Sequence, residues 1–257
     1  MLHQIKEYLK FLKRSTNQHG VHSPFVYNLV TKCLYDKKKH ADYALISSYK
    51  NALLNNKETI KITDLGSGSV YTKSNIRHIN SIAKHSGAAL KHAKLLYRLA
   101  DYFQFTTSLE LGTSLGISTH AIALGHKDNK VTSIEGCPEI AKFTTQNLTD
   151  QNITNVEILI GDFSKVIPEL NQNTFDFILF DGNHNKKATL EYFELLLPKI
   201  HNNTLFIFDD IYWSKDMTEA WELIKQHPKV KVTVDTFQYG FVFFRTEQIK
   251  EHFTIRL

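Results

Sequence analysis

Six carboxylates carry most of the chemistry that can be read in this chain. Glu110, Glu135, Asp162, Asp181 and the adjacent Asp209 and Asp210 each stand at or just after the end of a short apolar run: SLEL, VTSIE, VEILIGD, FDFILFD and TLFIFDD. Such runs, separated by helical segments, predict a parallel sheet whose strand ends share one edge. In an open α/β sheet the ligand crevice lies outside that edge, so an acid-lined pocket is expected there. Its sign bears on the ligand. A pyrophosphate wants backbone N–H groups and cations, whereas a sulfonium, an ammonium, ribose hydroxyls and an adenine amino group want acceptors. For any single member, helix capping is the competing reading, because Asp at a strand-to-helix turn is a common N-cap.

The first of these acids opens ELGTSLG, from Glu110 to Gly116. Ser114 and Ile117 occupy the places where a dinucleotide loop, G-x-G-x-x-G, needs its second and third glycines, which weakens a nicotinamide reading. The string LELGTSLGIST resembles instead the first motif, E/D-x-G-x-x-x-G, of class I S-adenosylmethionine-dependent methyltransferases, over about residues 106 to 245. The resemblance implies a Rossmann-like, doubly wound, mostly parallel seven-stranded sheet ending in an antiparallel hairpin. It implies that Glu135 takes the ribose hydroxyls and that Asp162 lies beside the adenine amino group. The cofactor set it implies is Glu110, Gly112, Thr113, Ser114, Gly116, Ser118, Glu135, Asp162, Phe163 and Asp181.

Within that superfamily, FDGNH and FDDI are similar to stretches of metal-dependent, catechol-type O-methyltransferases, which use an Asp after the fourth strand, a Lys three positions on, and an Asp–Asn pair after the fifth. The matching positions are Asp181, His184, Asp209 and Asp210. The resemblance thus implies Asp181 and His184 as catalytic residues and Asp181, Asp209 and Asp210 as magnesium ligands, oxygen donors of the kind that ion prefers. Two departures matter. Asp210 in place of Asn adds a negative charge, and His184 in place of Lys is a base that titrates near neutrality. The alternative is that Asp181 only borders the methionine end of the cofactor, while Asp209 and Asp210 cap the next helix. Tyr212 and Trp213 could wall an acceptor or simply pack.

These residues need positioning, and the chain divides near residue 105 to provide it: a helical extension over 1–105 with a candidate lid, then a cofactor-binding domain over 106–257. Leu2, Ile5, Tyr8, Leu9 and Leu12 recur at helical spacing, as do Leu90, Ala93, Leu96, Tyr97, Ala100 and Phe103, with an irregular polar region between the two helices. A basic amphipathic first helix could lie on a membrane; docking of its apolar face on the protein's own core is the commoner fate and is the expectation. Further helices are expected at 117–125, 138–149, 186–197 and 217–226, and VKVTVDTF with GFVFFR predicts a hairpin forming an antiparallel edge. DLGSGS, from Asp64 to Ser69, reads as a turn, because no βαβ unit surrounds it. The stretch from there to Gly87 could fold over the pocket.

The net charge of +5 includes the run Lys37–Lys39, but no aromatic residues interleave with it to stack bases, so a nucleic-acid partner is not expected. Cys33 and Cys137 fit two buried thiols, with neither zinc-ligand spacing nor a disulfide framework. No apolar run reaches the length of a membrane span, and no secretory signal is evident, so a cytoplasmic protein is expected. The leading expectation is an enzyme that methylates a small molecule, at oxygen, using S-adenosylmethionine. An RNA or protein methyltransferase and a non-catalytic cofactor-binding or assembly domain are the alternatives, and the sequence leaves a homodimer open.

Overall fold

A computed structural model describes residues 2–63 and 75–257. The DLGSGS string and the first part of the candidate lid lie outside the described residues. The chain forms two compact units, residues 1–36 with 167–257, and residues 37–166.

The contiguous unit begins with α3 (Tyr43–Asn55), preceded in the chain by α1 (Leu2–Arg14) and α2 (Pro24–Leu29) of the other unit. It continues through β1 (Thr59–Lys61), β2 (Ile76–His78), α4 (Ile79–His85) and α5 (Leu90–Phe103). Three strand–helix repeats follow: β3 (Thr107–Leu111), α6 (Ile117–Gly125), β4 (Lys130–Glu135), α7 (Pro138–Asp150), β5 (Val156–Ile160) and α8 (Phe163–Glu169). The described part of the region between α1 and α5 thus holds more regular structure than the expected irregular stretch. Ile46, Tyr49 and Leu53 recur at helical spacing along α3 and are buried with Ile79, Ile82 and Ala93, which explains why a mostly polar segment still folds. β3, β4 and β5 pair in parallel, with Leu111 opposite Ile134 and Glu135 opposite Ile160. That register puts the ends of the three strands on one edge.

The discontinuous unit holds α1, α2, β6 (Phe177–Phe180), α9 (Lys186–Leu196), β7 (Leu205–Asp209), α10 (Lys215–Gln226), β8 (Val232–Asp235), β9 (Tyr239–Phe243) and β10 (Glu251–Thr254). β6 and β7 are parallel, and β6 throughout and β7 from Leu205 to Phe208 are buried, as strands covered on both faces must be. β8 and β9 form the expected hairpin, but it is not the edge: β9 lies antiparallel between β7 and β8, and β10 adds outside β8 in parallel. The mostly parallel Rossmann-like sheet accordingly has eight strands rather than seven.

The first helix corrects a second expectation. Its buried residues are Glu7 and Phe11, not the apolar stripe: Leu2, Ile5 and Leu9 are exposed. Phe11 and Tyr8 meet Phe237 in the β8–β9 turn, at ring distances of 5.5 and 4.9 Å. Arg14 donates to Asp235 Oδ2 at 2.7 Å and to the Tyr212 hydroxyl, which itself donates to Asp235 at 2.5 Å. Asp235 Oδ1 accepts from the Phe237 backbone N–H at 2.8 Å, closing a turn in which Phe237 holds a φ of 72°. A bulky residue in that region of backbone space is strained, and here rings on both sides hold it.

Candidate functional site

In the contiguous unit the glycine loop runs from the end of β3 into α6. Gly112 has φ 104° and Gly116 φ 73°, conformations that side chains with a Cβ rarely adopt, and Ser114 between them has φ 47°. A Cβ on Gly116 would also stand 2.5 Å from Thr144 Cγ2. The strained loop is tied down from several sides. Gly112 N–H donates to the Ile134 carbonyl at 3.0 Å, Thr144 Oγ1 donates to the Ser114 carbonyl at 2.7 Å, and the Tyr49 hydroxyl donates to the Leu115 carbonyl at 2.9 Å. Thr113 is buried, its hydroxyl 2.6 Å from that of Ser133; Ser118 is buried in the first turn of α6.

Three acids stand around this loop. Glu135 accepts from Ser114 N–H at 2.8 Å through one oxygen and from Cys137 N–H at 2.9 Å through the other. Asp162 Oδ1 accepts from the N–H and the hydroxyl of Ser164 at 2.8 and 2.7 Å, and those bonds hold its carboxyl below the usual range. Phe163 follows it, half-buried, at the start of α8. Glu110 is fully buried, and its Oε2 accepts from Thr119 and Ser133 at 2.5 and 2.6 Å. Among the described residues its other oxygen, also buried, has no hydrogen-bond partner, and burial pushes the carboxyl up to about 7. An orphaned buried acceptor and two half-buried carboxylates on neighbouring strand ends suit a ligand with hydroxyls, an amino group and a positive centre. They fit S-adenosylmethionine and would repel a pyrophosphate. The contributions of Ser133, Thr119 and Thr144 were not anticipated from sequence. The polar Ser133 inside the run VTSIE was the one available signal.

The remaining predicted residues belong to the other unit, after β6 and β7. His184 Nε2 lies 3.7 Å from Asp181 Oδ1, both half-buried. The loop between them and α9 is set by Asn185, which caps the helix by accepting from Ala188 N–H at 2.9 Å, and by Asn183, whose φ is 54°. After β7, Asp210 also has a positive φ, of 55°. Neither Asp209 nor Asp210 caps the next helix; Ser214 does, accepting from Met217 N–H at 3.1 Å. Instead the Gln238 side-chain amide, from the β8–β9 turn, donates to Asp209 Oδ1 at 2.5 Å and to Asp210 Oδ1 at 2.7 Å. Burial and the neighbouring Asp210 charge push Asp209 up. Tyr212 is buried in the Arg14–Asp235 cluster, so it packs rather than walls an acceptor, whereas Trp213 is exposed.

This arrangement does not fit the implied magnesium. An N–H donor stands between the two carboxylates where a cation would need their lone pairs. Among the described residues no group of three His, Cys, Asp or Glu is placed to hold a metal. No step below depends on a cation held by Asp181, Asp209 and Asp210. Gln238 was not foreseen, since a glutamine at a hairpin turn carries no sequence signal of its own.

A mostly parallel Rossmann-like sheet with a strained glycine loop at one strand end and a C-terminal antiparallel hairpin is a fold this chain shares with solved methyltransferases. Residues 109–211 match the family model described as a methyltransferase domain, a stretch that includes the residues predicted to be cofactor-binding, catalytic or metal-ligating. No curated protein matches the chain. Among solved structures it is similar to the O-methyltransferase TomG from Streptomyces achromogenes, crystallised with S-adenosylmethionine (TM-score 0.57, 18% identity, 90% of this chain and 99% of that one). It is similar too to the Podospora anserina methyltransferase PaMTH1 (TM-score 0.62, 12% identity, 88% and 97%) and to an O-methyltransferase from Bacillus cereus (TM-score 0.52, 21% identity, 84% and 94%).

Proposed function

We propose that this chain transfers a methyl group from S-adenosylmethionine to an oxygen of a small molecule. The observation that carries the reading is the set Glu110, Glu135 and Asp162 on three adjacent parallel strand ends beneath the Gly112–Gly116 loop. The O-methyltransferase structures that share the fold support the choice of oxygen. In this reading Glu135 takes the ribose hydroxyls, Asp162 offers its second oxygen, Oδ2, to the adenine amino group, and the 112–118 loop passes along the cofactor.

When bound, S-adenosylmethionine supplies an electrophilic methyl carbon. His184 would serve as the base, its Nε2 taking the proton of the acceptor hydroxyl as that oxygen is methylated. Asp181 orients the imidazole and stabilises its protonated form. Alignment of the acceptor supplies much of the rate, because the reaction is an in-line displacement.

Calorimetric titration with S-adenosylmethionine tests the cofactor half. Binding that weakens at least tenfold in Glu135→Ala is expected, and no binding by the wild type would sink the proposal. An acceptor screen tests the rest. His184→Ala should then abolish turnover while retaining cofactor affinity; unchanged turnover would remove His184 as the base.

A further inference from the structure

Helix α1 presents an apolar stripe to solvent on the side opposite the one it docks with. Its docked side is defined by Glu7 and Phe11, by the contact of Phe11 with Phe237, and by His3 Nε2, 3.0 Å from the Thr218 hydroxyl. On the far arc Leu2, Ile5 and Leu9 are 86%, 53% and 55% exposed. Lys6, Lys10 and Lys13, all exposed, run along one border of that stripe. Of these, Lys10 is paired with Glu7 at 2.7 Å, so the outward border keeps an excess of positive charge. No packing inside the unit explains three large aliphatic side chains aligned in water. Elsewhere among the described residues the exposed large hydrophobics are scattered along the sequence, which is ordinary for a protein surface.

We propose that α1 is an interfacial helix that lays Leu2, Ile5 and Leu9 into an anionic lipid surface. The charge pattern selects this occupant. Lysines flanking an aliphatic stripe can extend to anionic headgroups while the stripe enters the boundary with the acyl chains. A second copy docked face to face across a two-fold axis would instead bring two lysine rows into one interface. The aromatic contacts and the Arg14–Asp235 pair keep the helix fixed to its unit, so the stripe is displayed already formed and need not fold on binding. With only three aliphatic anchors the attachment is reversible, and it weakens with salt because headgroup attraction falls off within a Debye length. Among the described residues no helix is long and apolar enough to cross a membrane, so the contact is peripheral. The inference does not depend on the methyltransferase reading.

Flotation of the full-length protein with vesicles tests it. Vesicles of phosphatidylcholine alone are compared with vesicles containing about one third phosphatidylglycerol. The wild type is expected to float with the anionic vesicles at low salt, with at least a tenfold loss of bound fraction in neutral vesicles or about 0.5 M salt. The triple variants Leu2→Gln, Ile5→Gln, Leu9→Gln and Lys6→Gln, Lys10→Gln, Lys13→Gln should each lose binding at least tenfold with unchanged circular dichroism and melting. Absence of vesicle binding, or equal binding to neutral and anionic vesicles, would overturn the proposal. So would sedimentation of the wild type as a dimer that the aliphatic variant converts to monomer, because the stripe would then belong to a second copy.

Discussion

The buried carboxyl of Glu110 makes a prediction that can be worked through. Burial raises it from 4.5 to about 7, the Ser133 and Thr119 hydroxyls oppose that rise, and the charge of Glu135 adds to it. Because the folded value lies above the unfolded one, the group's contribution to stability is complete below about pH 4.5 and is lost as pH rises through about 7. At about 1.4 kcal/mol per pH unit, that span corresponds to about 3 kcal/mol. Glu110→Gln keeps an oxygen for Thr119 and Ser133 and removes the ionisation. Its fixed cost, an amide N–H₂ placed where Oε1 has no partner, is the same at every pH. The variant should therefore gain on the wild type by about 3 kcal/mol between pH 4.5 and pH 8, whichever protein is the more stable at the start. Urea unfolding of both proteins across that range reads the difference directly. A difference that stays flat, or that favours the wild type as pH rises, would refute the assignment of Glu110 as a carboxyl that folding pushes toward its neutral form.

Two further outcomes follow from the same geometry. Gly116→Ala combines a left-handed backbone with a Cβ 2.5 Å from Thr144 Cγ2, so a loss of about 2–5 kcal/mol is expected in thermal or urea unfolding, with weakened S-adenosylmethionine binding; a wild-type melting curve would show that the loop relaxes freely. Gln238→Ala should expose the Asp209–Asp210 pair and tighten Mn²⁺ binding at least tenfold by electron paramagnetic resonance. Tight binding to the wild type that Asp210→Asn removes would show instead that the amide yields to a cation.

The acids at strand ends were legible because two local patterns coincide there: a buried apolar run and a polar residue at its end. The glycine loop was legible because φ values near 73° and 104° leave few residue types to choose from. What escaped depended on partners distant in sequence. Gln238 reaches Asp209 across 29 positions and Arg14 reaches Asp235 across 221, and nothing within either segment announces the other. β10 was missed because EHFT is short, with its first two residues exposed at the sheet edge. Periodicity in α1 correctly gave a helix with an apolar arc but could not say which arc the protein covers. The one buried apolar residue of the docking arc is Phe11, and the contacts that choose that arc come from the β8–β9 turn.

The discontinuity of one unit bears on how the chain is made. Residues 37–166 form a compact unit from a single stretch of chain, so its β3–β4–β5 pairings can begin to close while the rest is still being synthesised. The unit that holds α1 cannot. Arg14 must wait for Asp235, and Phe11 for Phe237, so both faces of the first helix stay uncovered through most of translation. Pairings that span so much sequence form late and slowly. During that interval the helix offers an aliphatic and an aromatic surface at once.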